Sequence, residues 1–388
     1  MKAGSKRVRQ YVLGTLLVCS VGITSAHGQG AAQKPLMAED VFKNVQILKG
    51  IPVKEFLDTM GFFSAATGMN CIDCHSPQGA DSLEGYAIDT PLKQTARKMM
   101  LMVNTLNKSN FGGERRVTCY TCHRATDHPE AIPSLLDQYS IAPDDPNRIE
   151  IPAAGAAQPA KVSADQILDK YLTAIGGAQQ AAKLTSFTAK GTYEGYATVH
   201  LKVPFDIFAN APNQLSEVIH SQRGDSVSTY DGTHGWLAAN DKLMRVLPLA
   251  GGDLEGAKMD ACLFFPAKLK QEFNWHAGFP AATIDDRPVQ VIQDAQGGAI
   301  GIKLYFDKQT GLLVRQVRFM DTAVGVIPTQ VDYSDYRLVA GVKIPFHIVV
   351  TWTDDKADIL LSAVQPNAHI DAARFNEPAP PKPKPETP

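Results

Sequence analysis

Residues 71–75 read Cys-Ile-Asp-Cys-His, and residues 119–123 read Cys-Tyr-Thr-Cys-His. Two cysteines three positions apart on one helical turn present both thiols on the same side. The residue after the second cysteine can then swing an imidazole beneath them. Two thiols suit the two vinyl groups on one edge of a porphyrin, and the imidazole nitrogen suits its iron, so C-x-x-C-H is the attachment chemistry of c-type haem. The motif occurs twice, so two covalently bound haem c groups are expected. Cys71 and Cys74 would hold one and Cys119 and Cys122 the other, with His75 and His123 as axial iron ligands. A Cys₄ zinc site and a pair of disulfides are the other readings. Between Cys74 and Cys119 lie 44 residues, against about 15–20 in zinc ribbons, and neither alternative explains a histidine after both pairs.

Working outward, each motif follows a helical pattern that carries a central methionine. In IPVKEFLDTMGFFSAATGMN, Pro52 fits a first helical position, Gly68 fits the end, and Val53, Phe56, Leu57, Met60 and Phe63 fall on one face. In TPLKQTARKMMLMVNTLNKSN, Thr90 is an N-cap and Pro91 takes the first position. Leu92, Ala96, Met99, Val103 and Leu106 share the face expected to point inward, with Met100 off it and Met102 competing with Met99. A methionine on an apolar face is more often core filler than a ligand. The residue in the sixth iron position decides function. Methionine closes the iron and raises its potential, as an electron carrier needs, whereas an open site suits peroxidase chemistry. No histidine lies in residues 76–118, so a second imidazole would have to come from His27 or His128.

The rest of the chain sets the compartment and the class. Lys2, Lys6, Arg7 and Arg9 precede the apolar run YVLGTLLVCSVGI and the small residues around Ala26, the layout of a secretory signal peptide over residues 1–26. Export to the periplasm is therefore expected, with an uncleaved anchor or lipidation at Cys19 as alternatives. Lipidation would require a small residue where Val18 stands. No apolar run, this one of thirteen residues included, reaches the roughly 20 of a membrane span. The 38 basic and 40 acidic side chains give a net charge of −2, which excludes a generally basic nucleic-acid binder. The 388 residues suffice for two or three domains. Cys262, in the apolar ACLFF, reads as a buried small hydrophobe. Arg97, Lys98, Arg115, Arg116 and Arg124 near the motifs could meet haem propionates or an acidic redox partner, or form an ordinary solvated face.

The expected organisation is multidomain. A mainly α-helical dihaem cytochrome c domain spans 37–148, a Pro- and Ala-rich linker 149–162, an α+β domain with a curved antiparallel sheet 163–376, and a Pro-rich disordered tail 377–388. In the α+β domain, Ser163 and Gln166 form a capping box, and Leu168, Tyr171, Leu172 and Ile175 share a helix face. Val199, Leu201, Val203, Phe205 and Ile207 alternate as one strand. DKQTG at 307–311 and VAG at 339–341 mark hairpins, and Asp285-Asp286-Arg287 marks a turn. The six histidines from His200 to His369 are scattered and read as structural or surface residues.

The stretches VFKNVQILKG, EFLDTM, CIDCH, ARKMMLMVNTLN and VTCYTCHR make residues 41–125 resemble one half of the cytochrome c subunit of bacterial photosynthetic reaction centres. The resemblance implies that Met60 binds the iron opposite His75, and Met99 the iron opposite His123. It also implies electron transfer to or from a redox protein or membrane redox complex, reaction-centre-like by resemblance. The family carries four haems where two motifs occur here, and Ala125 replaces the usual glycine after CHR. YDGTHGW and DYRLVAGVKIPFHI resemble the half-open barrels of periplasmic lipoprotein-sorting proteins, which implies a sheet that could cradle an apolar ligand. The expectation is an exported dihaem carrier of single electrons. The alternatives are a dihaem peroxidase-like enzyme with one open iron, or a periplasmic carrier of hydrophobic ligands with redox-sensing haems.

Overall fold

Pro52, which has no backbone N–H to leave unpaired, stands before the first long helix, α1 (Val53–Thr67), and Gly68 closes it in the left-handed conformation at φ 69°. A computed structural model describes residues 35–76, 82–133, 135, 162–240, 242–279, 282–296, 299–353 and 355–381. The expected signal peptide, Cys19, the linker up to residue 161 and the tail from residue 382 lie outside them. After α1 come α2 (Cys71–Cys74), α3 (Pro91–Asn110) and α4 (Cys119–His123), so the segment before the linker is helical. No helix among the described residues is long and apolar enough to cross a membrane.

Beyond the linker, α5 (Ala164–Ala174) starts in the predicted Ser163–Gln166 capping box and buries Leu168, Tyr171, Leu172 and Ile175. The chain then runs through β1 (Ser186–Gly195), β2 (Val203–Asn210), β3 (Gln214–Ser221), β4 (Gly224–Tyr230), β5 (Gly235–Ala238) and β6 (Val246–Pro248). α6 (Gly251–Phe264) interrupts the strands. They resume as β7 (Trp275–His276), β8 (Ala282–Ile284), β9 (Arg287–Gln296), β10 (Ala299–Asp307), β11 (Leu313–Asp321), β12 (Val326–Val339), β13 (Val342–Thr351) and β14 (Lys356–Pro366). These strands form one antiparallel sheet in the order β6-β5-β4-β3-β2-β1-β14-β13-β12-β11-β10-β9-β7, with β8 also on β9. Both predicted hairpins form, with Ile302 opposite Arg318 and Val339 opposite Val342. Asp285 and Asp286 make the left-handed turn between β8 and β9, at φ 48° and 59°.

Two elements differ from the sequence reading. Val199 and Leu201 do not extend β2. Val199 takes φ 52° in the loop before it, and both side chains are exposed. The inward alternation begins at Val203 and runs through Phe205, Ile207 and Ala209. Helix α6 was not predicted. It lies against the apolar face of the sheet, where Ala261 packs with the residues of β1 to β4 and Met259 and Cys262 pack with α5 and β10. Side chains of α5 and α6 thus pack on part of that face.

The helical segment is seated on the sheet. Thr59, Phe62 and Ala66 form a buried face of α1 that the apolar spacing did not reveal, because it points at the β11–β12 turn. Phe62 lies with Val324 and Ile327, so close to Gly325 that a Cβ there would sit 2.1 Å from the ring. Arg115 hydrogen-bonds the Thr322 carbonyl and Asp321. Lys54 pairs with Asp58 and with Asp253 of α6. Phe42 stacks on Phe56 at 4.9 Å beside Leu247.

Candidate haem-binding site

Each C-x-x-C is one helical turn, and each turn is fixed by a side chain that caps it. Asn70 accepts from Ile72 N at 3.0 Å while its own N–H donates to the Asp73 carboxylate at 2.8 Å. At the second motif the N–H of Thr118 donates to Thr121 Oγ1 at 3.0 Å. These Asn-x-x-Asp and Thr-x-x-Thr patterns were legible as capping boxes, and the sequence reading passed over them. A turn too short to be stable alone is held this way with its two thiols on one side. Cys71, Cys74, Cys119 and Cys122 are all free thiols. Burial raises the Cys74 and Cys119 thiols above their ordinary range. Among the described residues no group of three or more His, Cys, Asp or Glu side chains gathers as a metal site, so the two pairs do not converge as a Cys₄ centre would.

The two histidines are oriented by main chain. His123 Nδ1 lies 3.0 Å from the Thr126 carbonyl, which fixes the tautomer by N–H donation and leaves Nε2 with the lone pair. The main chain at Tyr86 hydrogen-bonds the His75 ring, whose centre lies 4.8 Å from the Tyr86 ring. His75 Nδ1 is buried with no hydrogen-bond partner. Burial, helped by the nearby Lys93 ammonium, holds this imidazole below its ordinary pKa and so keeps it neutral, the form that binds a metal. One nitrogen anchored and one lone pair unused is what an axial ligand requires, so His123 fits haem c as it stands; at His75 the unpartnered nitrogen is the buried Nδ1. Thr126 and Tyr86 were not identified from sequence, since no local pattern marks a carbonyl that meets a ring.

The methionines fall differently from the predicted faces. Met60 is half-buried against Leu48 and the Phe62 cluster. On α3 the buried positions are Met100, Val103 and Asn107, while Met99, Leu92 and Leu106 are exposed. The inward face is thus rotated by about one residue from the prediction. Asn107 turns inward because its side chain donates to Val117 O at 2.7 Å and accepts from the N–H groups of Arg116 and Val117 at 3.0 and 2.9 Å. A polar residue fully satisfied in this way can occupy a core position. The result leaves Met99 exposed with Leu92 and Leu106 among the described residues. Of the five cations, Arg97 pairs with Asp89, Arg115 with Asp321 and Arg116 with Glu114. His200, His220, His234 and His347 each pair with an aspartate, in keeping with structural roles.

Residues 21–166 match the family model of the photosynthetic reaction centre cytochrome C subunit. The photosynthetic reaction center cytochrome c subunit of Roseobacter denitrificans is 33% identical over 104 residues, 25% of this chain and 27% of that protein. The subunit of Thermochromatium tepidum is 34% identical over 97 residues, 24% of this chain and 23% of that protein. The chain thus spans about a quarter of the length of these curated relatives. Among solved structures, a LolA superfamily protein from Nitrosomonas europaea is similar at 13% identity and TM-score 0.38, covering 55% of this chain and 98% of that one. A putative outer membrane lipoprotein-sorting protein domain from Vibrio parahaemolyticus is similar at 9% identity and TM-score 0.37, covering 54% and 95%. The part of the chain that bears both C-x-x-C-H turns is similar to the cytochrome c subunit of photosynthetic reaction centres.

Proposed function

We propose that the protein is an exported dihaem c-type cytochrome that passes single electrons in the periplasm. Cys71 and Cys74 would hold one haem c and Cys119 and Cys122 the other, with His75 and Met60 ligating the first iron and His123 and Met99 the second. The observation that carries this reading is the capped second C-x-x-C-H turn, with His123 Nδ1 committed to Thr126. Haem held there supplies one-electron ferrous–ferric chemistry, with methionine favouring the ferrous form. The protein's own part is to hold two thiols and an imidazole in one capped turn, and to keep each methionine on a helix fixed by packing.

Lys98 and Arg124 are exposed and have no ion pair among the described residues. They offer positive charge beside the motifs to an acidic redox protein or membrane redox complex, a contact that would raise the encounter rate and weaken with salt. The relatives' names point to a reaction-centre complex as the class of partner. The test is an optical spectrum, oxidised and reduced, with a haem count on protein matured in a host that attaches c-type haem. Two covalent low-spin haems with a ferric methionine–iron charge-transfer band are expected. A high-spin, peroxide-reactive haem would replace this reading with the enzyme, and no covalent haem would end it.

A further inference from the structure

Each long helix of the haem segment is tied at one end to the motif it does not serve, in addition to the bonds of Asn107 on α3 to Arg116 and Val117 before its own motif. α1 carries Met60, the axial candidate for the haem on Cys71 and Cys74, yet its last turn meets the end of α4. Ala125 N–H donates to the Ala66 carbonyl at 2.9 Å, and a Cβ on Gly68 would lie 2.5 Å from the Ala125 oxygen. α3 carries Met99, the candidate for the haem on Cys119 and Cys122, yet its N-cap is bound to α2. Thr90 Oγ1 donates to the Cys74 carbonyl at 2.6 Å and accepts from Lys93 N at 3.2 Å. The helix packing shows the crossed contacts, α1 against α4 and α3 against α2, while α3 also rests on α4.

We propose that Thr90 is a positioning residue for Met99, one arm of a crossed brace in which the attachment turn of each haem holds the helix that bears the other haem's methionine. This rests on the dihaem reading above. A hydroxyl has one proton to give, and Thr90 gives it to Cys74 while a lone pair caps α3. α3 is a stiff rod, so tilting its first turn displaces Met99 nine residues on, roughly 14 Å along the axis at 1.5 Å per residue. A disturbance at the first attachment turn is therefore felt at the second iron. An ordinary cap would affect stability alone.

The test uses the full, matured holoprotein. Thr90→Val keeps the shape and removes both hydrogen bonds, whereas Thr90→Ser keeps both. The readouts are the ferric methionine–iron band and carbon monoxide uptake by the reduced protein, since carbon monoxide enters only where methionine has let go. Thr90→Val should raise uptake about tenfold over the unmutated chain, the factor set by roughly one lost capping hydrogen bond, and Thr90→Ser should not. Adding Met99→His, which closes the second iron with an imidazole, should abolish that uptake, and adding Met60→His should not. If Thr90→Val holoprotein does not accumulate, Gly68→Ala tests the other arm. It should open the first haem, with uptake abolished by Met60→His. Unchanged band and uptake in Thr90→Val, or uptake that survives Met99→His, would overturn the brace and leave the dihaem reading standing. An unmutated chain without two covalent low-spin haems would overturn both.

Discussion

Arg124 and Ala125 both occupy the left-handed region, at φ 50° and 65°, directly after the second motif. A residue with a Cβ costs about 1–2 kcal/mol there. Glycine avoids that cost and loses about 0.5–1 kcal/mol in unfolded-chain entropy. Ala125→Gly should therefore stabilise the protein by roughly 0.5–1 kcal/mol, read as a higher denaturant midpoint with an unchanged slope; a fall in the midpoint would show that the Ala125 methyl makes a contact worth more than the strain. His220 offers a second test. Burial alone would lower its pKa, but hydrogen bonds to Asp206 and Asp225, both 3.1 Å away, outweigh it and raise the imidazole above 6.5. A group with a raised native pKa contributes its full stability below the unfolded value and loses it as pH rises through the native one. Melting temperature should thus fall as pH rises above about 6.5, and His220→Gln should flatten that slope; an equal slope in both proteins would assign it elsewhere.

At the scale of elements, α1 meets α6 through Lys54, whose ammonium lies between the Asp58 and Asp253 carboxylates. Burial pushes the Asp58 carboxyl up to about 7, and Lys54 pulls against it. Lys54→Met would leave two carboxylates facing each other in a half-dry interface, at a cost of about 3–5 kcal/mol. Urea melts at pH 7.5 would show it, and the loss should shrink as pH falls and Asp58 takes a proton. How far such elements could be read from sequence depended on contrast. The hairpins at 307–311 and 339–341 and the cap at Ser163 are local chemistry, and they formed as predicted. α6 was invisible because only Gly251 of its fourteen residues is exposed, so no polar face marks its period. The face of α3 was misjudged because Asn107 is polar and inward. The Thr59–Phe62–Ala66 face of α1 was missed because its partner, Val324, lies more than 250 residues away in sequence. The motif cysteines and histidines needed only spacing to be found; their supports, Thr126 and Tyr86, needed the fold.

At the scale of the whole molecule, what matters is whether the haem segment and the sheet unfold separately. Phe62, Ala66 and Met100 are buried together with Val324 and Ile327 of the sheet segment, so the core of the haem segment is completed by the sheet segment. Residues 35–388 should therefore melt as one cooperative unit. The chain carries its own reporters. Its three tryptophans, Trp236, Trp275 and Trp352, all lie in the sheet segment, while methionine–iron absorbance would report on the helices. The two signals should change at one denaturant concentration in the unmutated protein. Phe62→Ala removes the ring that rests on Gly325 and should cost about 3–5 kcal/mol, as large-to-small core changes do. That loss falls on the joint, which neither segment can repair internally. In Phe62→Ala the haem signal should depart at lower denaturant than the tryptophan signal. Coincident curves in both proteins would place the coupling in the polar clamps at Arg115 and Lys54, and split curves in the unmutated chain would make the haem segment an independent domain.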